Sequence, residues 1–291
     1  MANVLLLREP SKSPTSPDRY ESTLTASGYK PLSVPVLETI FTNVASLTDI
    51  VRNDMLHGAV VITSGRACEA WGNVVEALES GQVSRQESKW ASTPFYVVGK
   101  STASALNLIR SAHPRSPFVP MDIRGESSGT SEQLAKFILE DLDSSPPSRQ
   151  IPFLYLTGDK NRDTLPDILR AGNVDLIPLQ VYQTQGSSSM SQDLKLALDW
   201  SSPGDNSSNW WIVFFAPSAA ELAIPLLRQY FDLPPDPTSS ARLSARIASI
   251  GPTTSAFLRD ELSLRVDAAA LKPSPDELLK AIVSYDEFHD H

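Results

Sequence analysis

Two short stretches of one pattern, far apart in the chain, limit the architecture more than any other feature. Leu32-Ser-Val-Pro-Val-Leu-Glu-Thr39 and Ile177-Pro-Leu-Gln-Val-Tyr-Gln-Thr-Gln185 align as Val36-Leu37-Glu38-Thr39 over Val181-Tyr182-Gln183-Thr184. In the second stretch Ile177, Leu179 and Val181 alternate with Pro178, Gln180 and Tyr182, the period of a half-exposed strand. Proline cannot donate to a sheet ladder, so Pro178 argues for a strand at an edge. Two such stretches predict a pair of connectors between two lobes, and Tyr182 breaks their likeness.

The rest of the chain repeats around them. The apolar run Val4–Leu7 is answered by Phe153–Leu156, each the pattern of a strand buried on both faces. Gly28, which stops a helix predicted over Asp18 to Ala26, is answered by Gly172. The strand predicted at Gly58–Ile62, ending in Thr63, is answered by Trp211–Phe215, and Phe95–Val98 by Ile247–Ile250. Thr130-Ser-Glu-Gln133 and Ser274-Pro-Asp-Glu277 both have the spacing of a capping box. Thr63 to Gly99 spans 36 residues, and so does Phe215 to Gly251. Strands alternating with helices predict parallel sheets of right-handed βαβ units. The fold class expected is α/β, with two parallel-sheet lobes from an internal duplication joined by a two-stranded β-ladder hinge. Residues 1–34 with 185–291 form one lobe, 40–177 the other, and 35–39 with 178–184 the ladder. A simple cut at 145–150 is also compatible with the sequence.

With 291 residues the chain is long enough for two medium domains. Its net charge of −9 argues against nucleic acid or an anionic membrane as partner. The solitary Cys68 excludes an intramolecular disulfide framework. Val4–Leu7 is too short for a signal peptide, and no apolar run reaches membrane-spanning length. These features predict a cytoplasmic monomer acting on a small molecule.

In open parallel sheets, ligands sit at the carboxyl ends of strands, where helix N-termini offer amide donors. Four predicted strand ends are rich in hydroxyls: Thr63-Ser64-Gly65-Arg66, Gly99-Lys100-Ser101-Thr102, Ala216-Pro217-Ser218 and Gly251-Pro252-Thr253-Thr254. Ser218-Ala-Ala-Glu221 has the form of a further capping box. A single such hydroxyl is more often a helix cap; four in two matching pairs facing one cleft favour a polar or anionic ligand. Arg8, Arg66, Lys100 and Arg246 would add positive potential there. The phosphate loop, the dinucleotide fingerprint, the Gly-x-Ser-x-Gly elbow and metal-ligand spacing are all missing from the sequence. Cys68, Trp210 and Trp211 read as core, and Lys160, Arg162 and Asp163 as solvated loop charges.

Taken together, Thr63-Ser64-x-Arg66-Ala67, Val98-Gly99-x-x-Thr102-Ala103, Val181-Tyr182-x-Thr184, Phe214-Phe215-x-Pro217-Ser218 and Ile250-Gly251-Pro252-Thr253-Thr254 resemble the uroporphyrinogen-III synthase family nearly end to end. This sequence departs from the family at Gly65, where many members have Pro, and at Ala216, where many have Ser. At 216 a backbone amide contact is therefore what remains to be expected. Residues 144–150 and 234–240 look like lineage-specific insertions. The resemblance implies hydroxymethylbilane as substrate, loss of its ring A hydroxyl as water, ring D inversion through a spiro intermediate, and no cofactor. It implies Tyr182 as the catalytic acid. Substrate-binding residues are expected at Arg8, Thr63, Ser64, Arg66, Lys100, Ser101, Thr102, Ala216, Pro217, Ser218, Thr253 and Thr254. Two other readings compete: a non-catalytic two-lobed binding protein for an anionic small molecule, and a two-lobe glycosyltransferase.

Overall fold

A computed structural model describes residues 2–11, 17–81, 88–144, 150–200, 210–233 and 243–289. The two expected insertions fall almost wholly outside the described residues, at 145–149 and 234–240. The chain forms two compact units, Met1–Glu38 with Gln185–His291, and Thr39–Thr184.

In chain order the elements are β1 (Asn3–Leu7), α1 (Arg19–Ala26), β2 (Lys30–Ser33), β3 (Leu37–Phe41), α2 (Val44–Arg52) and β4 (Val60–Ile62). Then come α3 (Gly65–Ser80), β5 (Pro94–Val97), α4 (Lys100–Ala112), β6 (Asp122–Arg124), α5 (Ser131–Ser144) and β7 (Phe153–Thr157). They are followed by α6 (Thr164–Ala171), β8 (Leu176–Gln180), β9 (Tyr182–Gly186), α7 (Met190–Trp200), β10 (Trp210–Phe214) and α8 (Pro217–Leu227). The chain ends with β11 (Phe231–Asp232), β12 (Leu243–Ser249), α9 (Pro252–Asp260), β13 (Ala268–Ala269) and α10 (Pro275–His289).

The second unit holds a parallel sheet ordered β6-β5-β4-β7-β8. The first unit holds a parallel sheet ordered β11-β12-β10-β1-β2, with β13 also paired to β12. Strands β10, β12, β13, β1 and β2 thus take the places of β4, β5, β6, β7 and β8, and β11 is an addition. Helices cover both faces of each sheet, which explains why the central strands are apolar throughout. Along β1, Leu5 and Leu7 enter one core while Val4 and Leu6 enter the other. Along β7, Leu154 and Leu156 face one core while Phe153 and Tyr155 face the other. Trp210, Trp211 and Cys68 are buried, as their apolar surroundings predict.

The connectors differ from the single strands expected. Each breaks into two strands: β2 then β3 in the first, β8 then β9 in the second. The first piece of each is the edge strand of its own unit's parallel sheet, where Pro31 and Pro178 cost no internal ladder bond. The second pieces, β3 and β9, pair with each other in a two-stranded sheet. The breaks fall at Val34–Val36 and at Val181; these three valines are each about 1% exposed and anchor the cores of the first and second unit respectively. A side chain that must turn inward there ends one strand and re-aims the next. The Val36 carbonyl accepts from the Ser187 amide, and the Val181 carbonyl from the Thr42 amide.

Caps show a second local difference. The Thr130 and Ser274 hydroxyls accept the amides of Gln133 and Glu277, as expected. Gly28 takes a left-handed φ of 84°, and the Tyr29 amide reaches the Leu24 carbonyl in a Schellman turn. In the duplicate turn Val174 bonds to Leu169, but the left-handed residue is Asn173 (φ 58°), not Gly172. Gly172 is small for another reason: a Cβ there would meet Leu139 of α5 at 2.4 Å.

Candidate active site

The strand order reverses between β4 and β7 in one sheet and between β10 and β1 in the other. At such a point neighbouring connections leave in opposite directions and open a crevice at the carboxyl ends of the strands. The four hydroxyl-bearing turns follow β4, β5, β10 and β12, so in each unit one of them borders this crevice and one lies beside it.

In the second unit, Ser64 caps α3, its hydroxyl accepting the Ala67 amide at 3.2 Å. Gly99 caps α4 with no side-chain hydrogen bond, placing Lys100 and Ser101 exposed and Thr102 buried in the first turn. In the first unit, Ala216 caps α8 and Gly251 caps α9, again with no side-chain hydrogen bond. Ser218 is therefore a first-turn residue behind Ala216 and Pro217, not the cap that Ser218-Ala-Ala-Glu221 predicted. Pro217 fits the first helical position because its missing N–H has no helical partner to lose. Thr253 is exposed and Thr254 is 4% exposed, both in the first turn of α9. Three of the four turns thus leave their first amides uncapped by a side chain. That suits an anion more than a self-sufficient helix end.

Tyr182 opens β9 and is half-buried against the core of the second unit. Its ring lies on Gly158, the residue that follows β7. A Cβ on Gly158 would stand 2.4 Å from Cζ, 2.6 Å from Cε2 and 2.7 Å from Oη. The Val181 amide bonds to the Thr157 carbonyl at 2.9 Å, tying the start of β9 to the end of β7. The Arg66 guanidinium sits 5.8 Å from the centroid of the Tyr182 ring and donates to the Thr184 hydroxyl at 3.0 Å. The Thr184 amide donates to Asp159. Burial raises the pKa of the Tyr155 phenol; Thr63 lowers it, and Tyr182 and Asp163 raise it again. The phenol of Tyr155 is therefore protonated at neutral pH. So the second unit gathers Thr63, Ser64, Arg66 and Tyr182 with Tyr155, Gly158 and Thr184 at its reversal point. In the sequence Tyr155 is hidden inside an apolar run and Gly158 stands beside a charged loop; Thr157-Gly158 at the close of a strand is the signal that could find it.

In the first unit the residue following β1 is Arg8. Its guanidinium is paired to Asp18 at 2.8 Å and lies over the rings of Tyr20 and Phe215. Asp18 is also the N-cap of α1, accepting the amides of Tyr20 and Glu21. Arg8 is thus a cation already neutralised by the protein. Arg246 departs further from its expected place. It lies in mid-strand on β12, is paired with Asp286 of α10 and stacks against Trp211 and Tyr285, away from the strand ends. Its charge serves the packing of α10.

Among the described residues no group of three or more His, Cys, Asp or Glu is placed to hold a metal ion, and no helix is long and apolar enough to cross a membrane. Burial pushes the Cys68 thiol up to about 12, so it is not a nucleophile at neutral pH. Thiol alkylation of the native protein at pH 7–8 is expected to be negligible and to become complete in denaturant. Fast labelling of the native state, read by mass spectrometry, would contradict that.

The family model described as uroporphyrinogen-III synthase HemD matches residues 18–280. The chain belongs to the uroporphyrinogen-III synthase family. The uroporphyrinogen-III synthase of Saccharomyces cerevisiae is 30% identical over 292 aligned positions, covering 97% of this chain and 96% of that one. Among solved structures, the Helicobacter pylori uroporphyrinogen-III synthetase is 17% identical, with 98% of this chain and 99% of that chain covered, at a TM-score of 0.49. A mutant uroporphyrinogen III synthase of Thermus thermophilus is likewise 17% identical, with 99% and 100% covered, at a TM-score of 0.45. The family assignment rests on the sequence matches. It places the chain among enzymes of tetrapyrrole biosynthesis.

Proposed function

We propose that this chain closes hydroxymethylbilane to uroporphyrinogen III with loss of water and inversion of ring D, as a lyase. It would act as a cytoplasmic monomer without a cofactor, in keeping with its acidic sequence and single cysteine. The observation that carries the activity is the extent of the match: a uroporphyrinogen-III synthase 30% identical over 97% of the chain. Tyr182, Arg8, Thr63, Ser64, Arg66, Lys100, Ser101, Thr102, Ala216, Pro217, Ser218, Thr253 and Thr254 are the residues proposed to serve it.

Departure of the carbinol oxygen as water needs a proton donor beside it. The Tyr182 hydroxyl is the proposed donor, while the electron-rich pyrrole supplies most of the push. Ring D must then be held so that its substituted carbon attacks, which is an orientation effect. A polycarboxylate is an awkward guest for a protein of charge −9. Helix N-termini ease this because they bind anions through backbone amides without adding formal charge. The uncapped turns at Gly99, Ala216 and Gly251 are proposed to do so, with Lys100 and Arg66 adding positive charge.

Incubating the purified protein with enzymatically generated hydroxymethylbilane and separating the product isomers tests the proposal. Type III product is expected. Binding with type I product alone would instead support a binding protein. Within the site, Thr254→Ala is expected to raise KM by about 3–10-fold, the equivalent of one lost hydrogen bond of about 1 kcal/mol, or to raise the type I fraction. Unchanged kinetics and isomer ratio would leave Thr254 as a buried first-turn residue only.

A further inference from the structure

We infer that Gly158 is the positioning residue for Tyr182: the missing side chain is the seat that sets where the phenol hydroxyl points. This rests on the proposed role of Tyr182 and adds a second residue to it. Three observations meet here. The ring lies so close to the Gly158 Cα that a single added methyl would fall 2.4–2.7 Å from Cζ, Cε2 and Oη. Ordinary carbon–carbon contact begins near 3.5 Å, so ring and methyl cannot share the space. Nor is the backbone free to yield. The Gly158 carbonyl accepts from Asn161 Nδ2 at 2.6 Å, and the preceding Thr157 carbonyl holds the Val181 amide. Glycine is not demanded by the backbone conformation, because Gly158 is not among the positive-φ glycines. Close approach is what requires it.

The internal duplication supplies an independent control. Val4–Leu7 match Phe153–Leu156, so Gly158 corresponds to Glu9, and Tyr182 corresponds to Leu37. In the first unit that place carries a glutamate side chain, and the residue opening β3 is a leucine packed against the core. In the second unit that side chain is gone and an aromatic ring lies where it would leave the backbone. Glycine and tyrosine occur together in one copy and are both replaced in the other, as expected if one makes room for the other.

The experiment is a double-mutant cycle with Gly158→Ala, Tyr182→Ala and the double variant. It is read by kcat, KM, product isomer ratio and denaturation midpoint. Displacing a catalytic group by about 1 Å can cost about 100-fold. Gly158→Ala alone is therefore expected to lower kcat by about 10–100-fold with KM changed by less than about 3-fold, and to lower the midpoint. In the Tyr182→Ala background the same glycine change is expected to lower neither, since the ring it would strike is absent. If Gly158→Ala leaves kcat at the wild-type value, or lowers kcat or stability by the same factor in both backgrounds, the inference is overturned. Tyr182→Phe separates it from the reading beneath it. Wild-type turnover in Tyr182→Phe removes the acid role, whereas a slow Tyr182→Phe beside a fast Gly158→Ala removes only the positioning role.

Discussion

Tyr182→Phe is expected to lower kcat by about 10–100-fold while leaving the fold and the denaturation midpoint essentially unchanged. The magnitude sits at or below the low end of what a positioned general acid contributes, because the pyrrole nitrogen itself drives much of the ionisation. The fold should survive because the ring keeps its packing against the core of the second unit, its face to Arg66 and its seat on Gly158. Only the hydroxyl is lost. The measurement is steady-state turnover with type I and type III products separated, since unaided closure of the bilane gives the non-inverted isomer. A rate equal to wild type would reduce Tyr182 to a packing residue at the ladder.

Removing the Asp18 carboxylate should be the most damaging single change outside the apolar cores. Burial alone would raise its pKa; against that, the Ser11 amide, the Arg8 guanidinium and the Glu21 amide donate to it and lower it to about 2, from an ordinary 3.8. Its side chain is only 2% exposed. Asp18→Ala strips α1 of its N-cap and leaves the Arg8 guanidinium without its carboxylate. The expected loss is about 2–4 kcal/mol. The depressed folded-state pKa fixes the sign of the pH dependence. The contribution of Asp18 is fully present above about pH 4, where the unfolded chain is also ionised. It is lost as pH falls from about 4 to about 2. It amounts to about 2 kcal/mol. Denaturant unfolding of wild type and Asp18→Ala at pH 7 and at pH 2–3 is expected to show a gap that narrows in acid. A gap that widened in acid would contradict this account of the Arg8–Asp18 pair.

Much of this molecule was legible before its structure, for identifiable reasons. Strands buried on both faces write themselves as apolar runs, so Val4–Leu7, Phe153–Leu156 and Trp211–Phe215 announced the sheet centres. Proline, kept out of sheet interiors, marks the edge at Pro178. The duplication could be read because it is a spacing, and spacings survive divergence of side chains. What stayed hidden was shorter or more contextual. The strands β6, β11 and β13 are two or three residues long, too short to show a period. Each connector read as one strand because alternation runs through it, while the break at Val34–Val36 or Val181 is decided by a core the local sequence does not contain. Ser218 looked like a cap because cap motifs specify only spacing, and the same spacing fits one turn into a helix. Nor does residue order show that Arg8 and Arg246 are paired with Asp18 and Asp286.

The candidate site divides along the same line. Sequence by itself determined which turns carry hydroxyls, that Tyr182 interrupts an otherwise repeated pattern, and which family the motifs resemble. These are properties of residue order, and residue order is all that a motif needs. Only the tertiary structure decided that the Tyr182 ring rests on Gly158, and that Arg66 faces that ring and holds Thr184. Those pairings join residues 24 to 118 positions apart in the chain, or strands whose neighbours are chosen by sheet order. No local pattern encodes such distances. They are set when β4 and β7 pair at the point where the sheet reverses, bringing the two strand ends under the first residue of β9.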